Sequence, residues 1–302
     1  MGKAFLMAST RPSPAAARPR QIGSSSPWLQ AWARLRRSNL AMVGAALVLI
    51  VGLAALFAPW LAPYDPANIE LRQRLQAPSA EHWLGTDDLG RDVFSRLLYG
   101  ARVSMIVGVT VVLIRALIGV TIGIIAGYYA GRVDAILMRV TDVFIAFPGI
   151  LLALAIMAIW GTGLDRVVIA LSVAGWPQFA RLVRGEVLSL REREYVDAGR
   201  ALGSNALHLL GKHILPNVLP IIVVYASLNI SSPIVAEAAL SFLGLGIQPP
   251  EVSWGSMLSS AHRYMRVAWW LALFPGLSIT LTVIGFNLFG DGVRDALDPR
   301  MK

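Results

Sequence analysis

Long apolar runs alternate with short polar stretches along this chain. A helix needs about 20 mainly apolar residues to cross the hydrocarbon layer. Six segments approach that length: residues 40–62, 103–126, 136–160, 167–183, 218–243 and 267–290. The fourth is the weakest, because Trp176-Pro177-Gln178 interrupts an already short run. The pattern predicts an all-α, polytopic membrane protein with about six transmembrane helices. Gly119, Gly123 and Gly127 recur every fourth residue in the second segment. Small residues at that spacing make a ridge that another helix can approach closely, whether from this chain or from a second one. Pro148-Gly149 and Pro275-Gly276 predict kinks in the third and sixth segments, with a gating role as the alternative.

The polar stretches differ from one another. Residues 1–26 are rich in Pro, Ser, Ala and Arg and lack an apolar stretch ending in a cleavage site, so a disordered cytoplasmic tail is expected. Trp28, Leu29, Trp32 and Leu35 then recur at helical spacing beside Arg34, Arg36 and Arg37. That suits a short helix lying in the membrane interface better than an extension of the first span. Between the first two spans, residues 63–101 are punctuated by Gly85, Gly90 and Gly100, which predicts turns and a short amphipathic helix on the outer surface. Asp87-Asp88 and Arg91-Asp92 in this segment belong to a partner contact or to an ordinary mixed-charge loop.

The most patterned polar stretch is 184–216. It opens with Arg191-Glu192-Arg193-Glu194, and Tyr195, Ala198 and Leu202 follow at i, i+3 and i+7, one apolar stripe on a short helix. Gly203 suits the positive-φ position that ends a helix. Ser204 can cap a second short helix over 205–213, and Pro216 introduces the next span. Two short helices outside the membrane make either a compact docking knob or ordinary loop structure.

Composition sharpens this picture. Hydrophobic residues make up 56% of the 302 and charged residues 15%, against about a quarter charged in soluble domains, so lipid is the solvent. The formal net charge of +9 does not point to nucleic acid, because the basic residues sit in the arm and loops and many alternate with acids. Of the 27 Lys and Arg, eighteen fall in the N-terminal arm, the 127–139 turn, the 181–216 loop and the C-terminus; eight fall in the intervening segments, and Arg115 lies within the second span. The positive-inside rule then places both termini in the cytoplasm. Cysteine is absent, which removes disulfides and thiolate metal sites. No G-x-x-x-x-G-K-[ST] loop occurs, so any ATP chemistry belongs to a partner.

Candidate chemistry inside the spans is sparse. Ser227, Asn229, Ser231 and Ser232, with Pro233, put a polar patch in the fifth span, which lines a wet pathway or bonds helix to helix. Arg115 contacts either a substrate carboxylate or a neighbouring helix. Glu237 and Asp142 sit near span ends, where snorkelling or pairing is expected. The four histidines, His82, His208, His213 and His262, fall in loops or at span edges, which leaves no nucleophile–base pair for an intramembrane hydrolase. A self-contained transporter driven by an ion gradient is the alternative reading; it favours two similar halves with broken helices, and no convincing internal repeat is present.

The 184–216 loop also carries a family resemblance. Asp197-Ala198-Gly199, then Gly203, then His213-Ile214-Leu215-Pro216 follow a Glu-Ala-Ala, three residues, Gly, nine residues, Ile-x-Leu-Pro pattern, from which Asp197, Gly199 and His213 depart. This resembles the integral-membrane subunits of bacterial ABC importers. The stretches HWLGTDDLGRDVFSRLLYGARVSM (82–105), AEAALSFLGLGIQPPEVSWGSML (236–258) and FNLFGDGVRDALDP (286–299) are similar to the C-type subunit of the dipeptide and oligopeptide permease branch.

The resemblance implies a type I ABC importer transmembrane fold in the bacterial inner membrane. Its parts would be the tail (1–26), an entry region (27–101), the transmembrane domain (102–291) holding the cytoplasmic loop 184–216, and a C-terminal tail (292–302). It implies a second permease, two cytoplasmic ATPase subunits and an extracytoplasmic binding protein as partners, with ATP and Mg bound by the ATPases and no cofactor bound by this chain. The ATPase contact would fall on Glu194, Tyr195, Asp197, Ala198, Gly199, Leu202, Gly203, Leu215 and Pro216. Similar permeases carry dipeptides, oligopeptides, glutathione or nickel complexes.

Overall fold

A computed structural model describes residues 27–297, so the expected tail at 1–26 and the last five residues lie outside the described part. In chain order the helices are α1 (Pro27–Leu35), α2 (Asn39–Leu56), α3 (Ala58–Leu61), α4 (Val93–Tyr129), α5 (Gly131–Ala146), α6 (Gly149–Trp160) and α7 (Leu164–Arg191). They continue with α8 (Glu194–Ala201), α9 (Ala206–Leu209), a π turn (Leu210–Ile214), α10 (Leu215–Asn229), α11 (Ser231–Phe242), α12 (Trp254–Ala261) and α13 (Trp270–Leu297). No strand occurs among the described residues.

Four helical stretches are long and apolar enough to cross a membrane: Asn39–Leu56, Val93–Tyr129, Ala206–Phe242 and Trp270–Leu297. Together α5 and α6 make a fifth if they form one span, although they meet at 84°. The fourth expected segment, the weakest, falls within α7, which at 28 residues is long enough to cross but is less apolar than the helices above. α7 is a continuous helix through Pro177, but Gln178, Arg181 and Arg184 dilute its apolarity. Its buried face compensates, since α4 and α7 form the most extensive helix pair in the fold.

Local chemistry explains the boundaries. α2 stops at Leu56 rather than 62 because Pro59 cannot donate a helical hydrogen bond and crowds the preceding turn. α4 has 37 residues, about 55 Å of helix, so it overruns the hydrocarbon layer at its ends. α13 continues to Leu297, past the expected end of the transmembrane domain at 291. It passes through Pro275 without interruption, whereas the Phe147-Pro148 step breaks the third segment sharply.

The glycine ridge packs within this chain. A methyl group on Gly119 would stand 2.6 Å from the Trp176 carbonyl, one on Gly123 2.6 Å from that of Ala180, and one on Gly127 2.7 Å from Val187 Cβ. Each glycine therefore admits the α7 backbone, and the two helices interlock. Around them, Val103, Val107 and Val111 of α4 join Met157, Leu171 and Leu240 in one buried core. A second core gathers Val93, Trp254 and Trp270. Both indoles are anchored, Trp254 to the Leu97 carbonyl at 3.0 Å and Trp270 to that of Thr86 at 3.2 Å.

Two expected surface features turn inward. Residues 63–92 contain one 3₁₀ turn, Leu71–Gln73, instead of an amphipathic helix. Their charges hold the segment together: Asp87 pairs with Arg91 at 2.7 Å and Arg96 at 3.4 Å, and His82 meets Asp92 at 3.0 Å, all buried or nearly so. At the other end, α1 is separated from α2 by a turn at Arg36-Arg37, with Ser38 capping α2. Ala31 and Leu35 pack against Ala296 of α13, while Leu29 and Trp32 stay exposed and Arg36 lies 4.7 Å over the Trp32 ring. A separate helix with its aromatic side outward is the arrangement expected at an interface.

Candidate functional site

The knob formed by α8, α9 and the π turn is built on a small core of its own. Val196 is fully buried, as are Leu209 and Ile214, and Ile214 joins Val183, Val187 and Leu190 of α7 with Val218 of α10. The apolar stripe expected along α8 is not what anchors it. Tyr195, Ala198 and Leu202 face outward, and Val196 between them makes the inward contact. Leu202 is 87% exposed and Leu207, just beyond the turn, 81%. Large apolar side chains this bare are candidates for a contact surface.

Gly203 ends α8 in the expected way. Its φ is +77°, its N–H donates to the Arg200 carbonyl at 2.9 Å, and the Ser204 N–H donates to that of Gly199 at 3.1 Å. This pair of bonds is a Schellman cap, which glycine enters without strain. The next cap is one residue later than expected: Asn205, rather than Ser204, accepts from the His208 N–H at 2.7 Å. Gly199 has a role its family departure did not reveal. A methyl there would lie 2.7 Å from Leu209 Cδ2, so the missing side chain lets α9 close onto α8.

Pro216 does not begin a separate span. The helix runs into it through the π turn, with the Leu215 N–H donating to Leu210. Proline cannot donate to the carbonyl four residues back, and a wider turn accommodates the missing bond. Leu215 and Pro216 are exposed at this joint. Behind the knob, Arg184 of α7 grips Asp134 of α5 with two hydrogen bonds of 2.5 and 2.6 Å. Glu194 and Asp197 are exposed in the first turn of α8; Asp197 accepts from Arg200 at 3.1 Å.

The second candidate region is a cavity of about 300 Å³ between α4, α6, α7, α10 and α11. It unites Arg115, Asn229 and Ser232 from the residues singled out in the sequence. The other two point elsewhere. Ser227 donates back to the Val224 carbonyl at 2.9 Å, and Ser231 bonds Asn287 of α13 at 3.0 Å. Arg115 donates Nε and Nη2 to the Leu171 carbonyl of α7, at 3.0 and 2.8 Å. A side chain on Gly175 would collide with that guanidinium. Gly175, Gln178, Tyr225, Gly149 and Ile150 complete the polar part and mouth of the cavity. Gln178 was legible as the polar residue interrupting the fourth segment; the glycines carried no such signal.

Asp142 pairs with Arg181 at 2.6 Å, as its position near a span end suggested. Glu237 does not snorkel. It is wholly buried, accepts from Ser241 at 2.6 Å, and through Ser241 and Ser253 ties α11 to the N-terminus of α12.

A frame of long apolar helices with a projecting helical knob defines a polytopic membrane protein. Residues 119–302 match the family described as binding-protein-dependent transport system inner membrane component, and residues 26–78 match the N-terminal transmembrane domain of oligopeptide transport permease C. The chain belongs to the former family. It is 48% identical over 278 residues to the glutathione transport system permease protein GsiD of Pectobacterium atrosepticum, covering 92% of each chain. It is also 48% identical over 282 residues to the dipeptide transport system permease protein DppC of Alkalihalophilus pseudofirmus, covering 93% of each. The fold resembles that of a chain in an inward-facing MetNI methionine ABC transporter, with TM-score 0.55, 19% identity, and coverage of 66% of this chain and 95% of that one. These likenesses favour an ABC importer permease over a self-contained ion-driven carrier.

Proposed function

We propose that this chain forms half of the translocation pathway of an importer of short peptides or glutathione. A second permease would complete the pathway, two cytoplasmic ATPases would supply ATP and Mg chemistry, and an extracytoplasmic binding protein would deliver substrate. Both termini lie in the cytoplasm in this reading, which places the knob on the ATPase side. The observation that carries it is the exposed apolar tip of the knob, Leu202 and Leu207, on a base continuous with the spans.

In mechanism, closure of the ATPases on ATP presses α8. The buried Val196 and Leu209 transfer the load to the core of α7 and α10. The unbroken helical path through the π turn passes it to α11 and the cavity wall. The chain binds no nucleotide itself in this scheme; its residues transmit force, exclude lipid and line the route.

The test is affinity purification of the tagged protein in mild detergent, with partners identified by mass spectrometry. A second permease and ATPase subunits are expected to co-purify, and the double variant Leu202→Glu, Leu207→Glu is expected to lose the ATPases while keeping the permease. Both side chains lie in solvent, so the isolated chain should lose no more than about 0.5 kcal/mol of stability. Full ATPase recovery with the double variant would refute the docking face.

A further inference from the structure

We propose that the cavity bounded by Arg115, Gln178, Asn229 and Ser232 is a carboxylate-binding station on the translocation route, with the Arg115 guanidinium as its anion-recognising group. The proposal rests on the reading of this chain as a peptide or glutathione permease, whose substrates all carry a free carboxylate.

The charge inventory is the first argument. Among the described residues, Arg115 is the one ionised side chain lining the cavity, and no carboxylate is among its lining. A cation held at membrane depth is costly unless an anion or polar surroundings offset it. Here the chain supplies only the Leu171 carbonyl, a dipole rather than a countercharge.

Hydrogen-bond capacity is the second. Both bonds to Leu171 come from Nε and Nη2, so Nη1 has no hydrogen bond among the described residues. A guanidinium has five N–H groups in a planar fork, and its remaining edge is suited to an incoming carboxylate. Ser232 and Gln178 are exposed and line the cavity, and neither side chain makes a hydrogen bond among the described residues, while Asn229 donates its amide N–H to the Tyr225 carbonyl at 2.8 Å and its oxygen accepts none among them. An Arg needed only to brace α7 would not require this ring of uncommitted polar groups.

Shape is the third. Gly175 has no side chain where the guanidinium lies, so the sequence reserves room for it. The helix break at Pro148 brings the start of α6, Gly149 and Ile150, to the cavity wall, and no side chain caps that start. The volume of about 300 Å³ lies at the small end of ligand pockets, which suits the terminal part of a short peptide.

The experiment uses the complete transporter in proteoliposomes with its binding protein and ATP, and radiolabelled dialanine and glutathione as probes. Ser232→Asp places an anion in the cavity that the guanidinium lines without replacing either partner of its bonds to Leu171; Ser232→Asn is the neutral counterpart. Uptake per ATP hydrolysed is expected to fall about ten- to hundredfold with aspartate, the scale of a lost charge-assisted hydrogen bond, and to stay within about threefold of wild type with asparagine. Arg115→Gln is expected to match the aspartate variant, and Arg115→Lys to recover part of the uptake. Equal uptake by the two Ser232 variants would overturn the proposal, even if Arg115→Gln fails to assemble. If the wild-type transporter imports neither probe, the substrate reading itself falls and the carboxylate station falls with it.

Discussion

Replacing Gly203 in two ways separates the helix cap from the surface it presents. With φ at +77°, any L-residue there is strained by about 1–2 kcal/mol, and alanine and tryptophan incur this alike. A Cβ at this position meets nothing within 4 Å, so neither side chain is blocked at its root. The isolated chain should therefore lose the same small stability with each. What differs is the surface offered to a partner: an indole adds roughly 150–250 Å² beside Leu202 and Leu207. In reconstituted transporter, Gly203→Ala should import at close to the wild-type rate, whereas Gly203→Trp should insert and hydrolyse ATP with uptake per ATP reduced at least about tenfold, the effect of about 1.4 kcal/mol. Normal import by the tryptophan variant at normal expression would remove the docking argument. Equal failure of both variants would shift the role from the surface to the Schellman cap.

Two further outcomes test the frame. Gly123→Leu should lower thermal stability in detergent, by about 1–3 kcal/mol or more, because the Ala180 carbonyl it meets belongs to backbone and cannot rotate away; an unchanged melting temperature would mean that α4 and α7 do not interlock. A double-mutant cycle on Asp134 and Arg184 should give a coupling near 1 kcal/mol, modest because the Arg184 side chain is one-third exposed; a coupling of zero would leave α5 unattached to α7 at that point.

Legibility in the sequence followed the kind of interaction involved. Apolar runs marked where helices form, because hydrophobicity is a property of each segment alone. The glycine ridge was visible as a spacing, but its partner was not, since α7 lies some sixty residues away and its mixed composition concealed its central place. Pro148 announced a bend; the 84° angle depends on what α5 and α6 pack against. On α8 the stripe was visible as a period, but Val196, which lies off it and is the buried residue of the helix, was not. Arg115 was conspicuous as a charge within a span, whereas Gly175, which makes room for it, looked like any other glycine. Glu237 was misplaced near a surface because its burial rests on Ser241, one turn along the same helix, and on Ser253 at the start of α12, a helix end that no apolar pattern foretells.

The π turn at Leu210–Ile214 has a mechanical consequence. By letting the helix continue past Pro216, it makes the knob and the cavity wall opposite ends of one lever. From Ala206 to Ser232 the arm is about 40 Å long, so a tilt of about ten degrees carries its far end about 7 Å. That travel is comparable to the width of a peptide backbone with its side chains. Under the proposed function, a modest stroke at the knob would be geared up into a larger movement at the cavity wall, with the gain set by helix length.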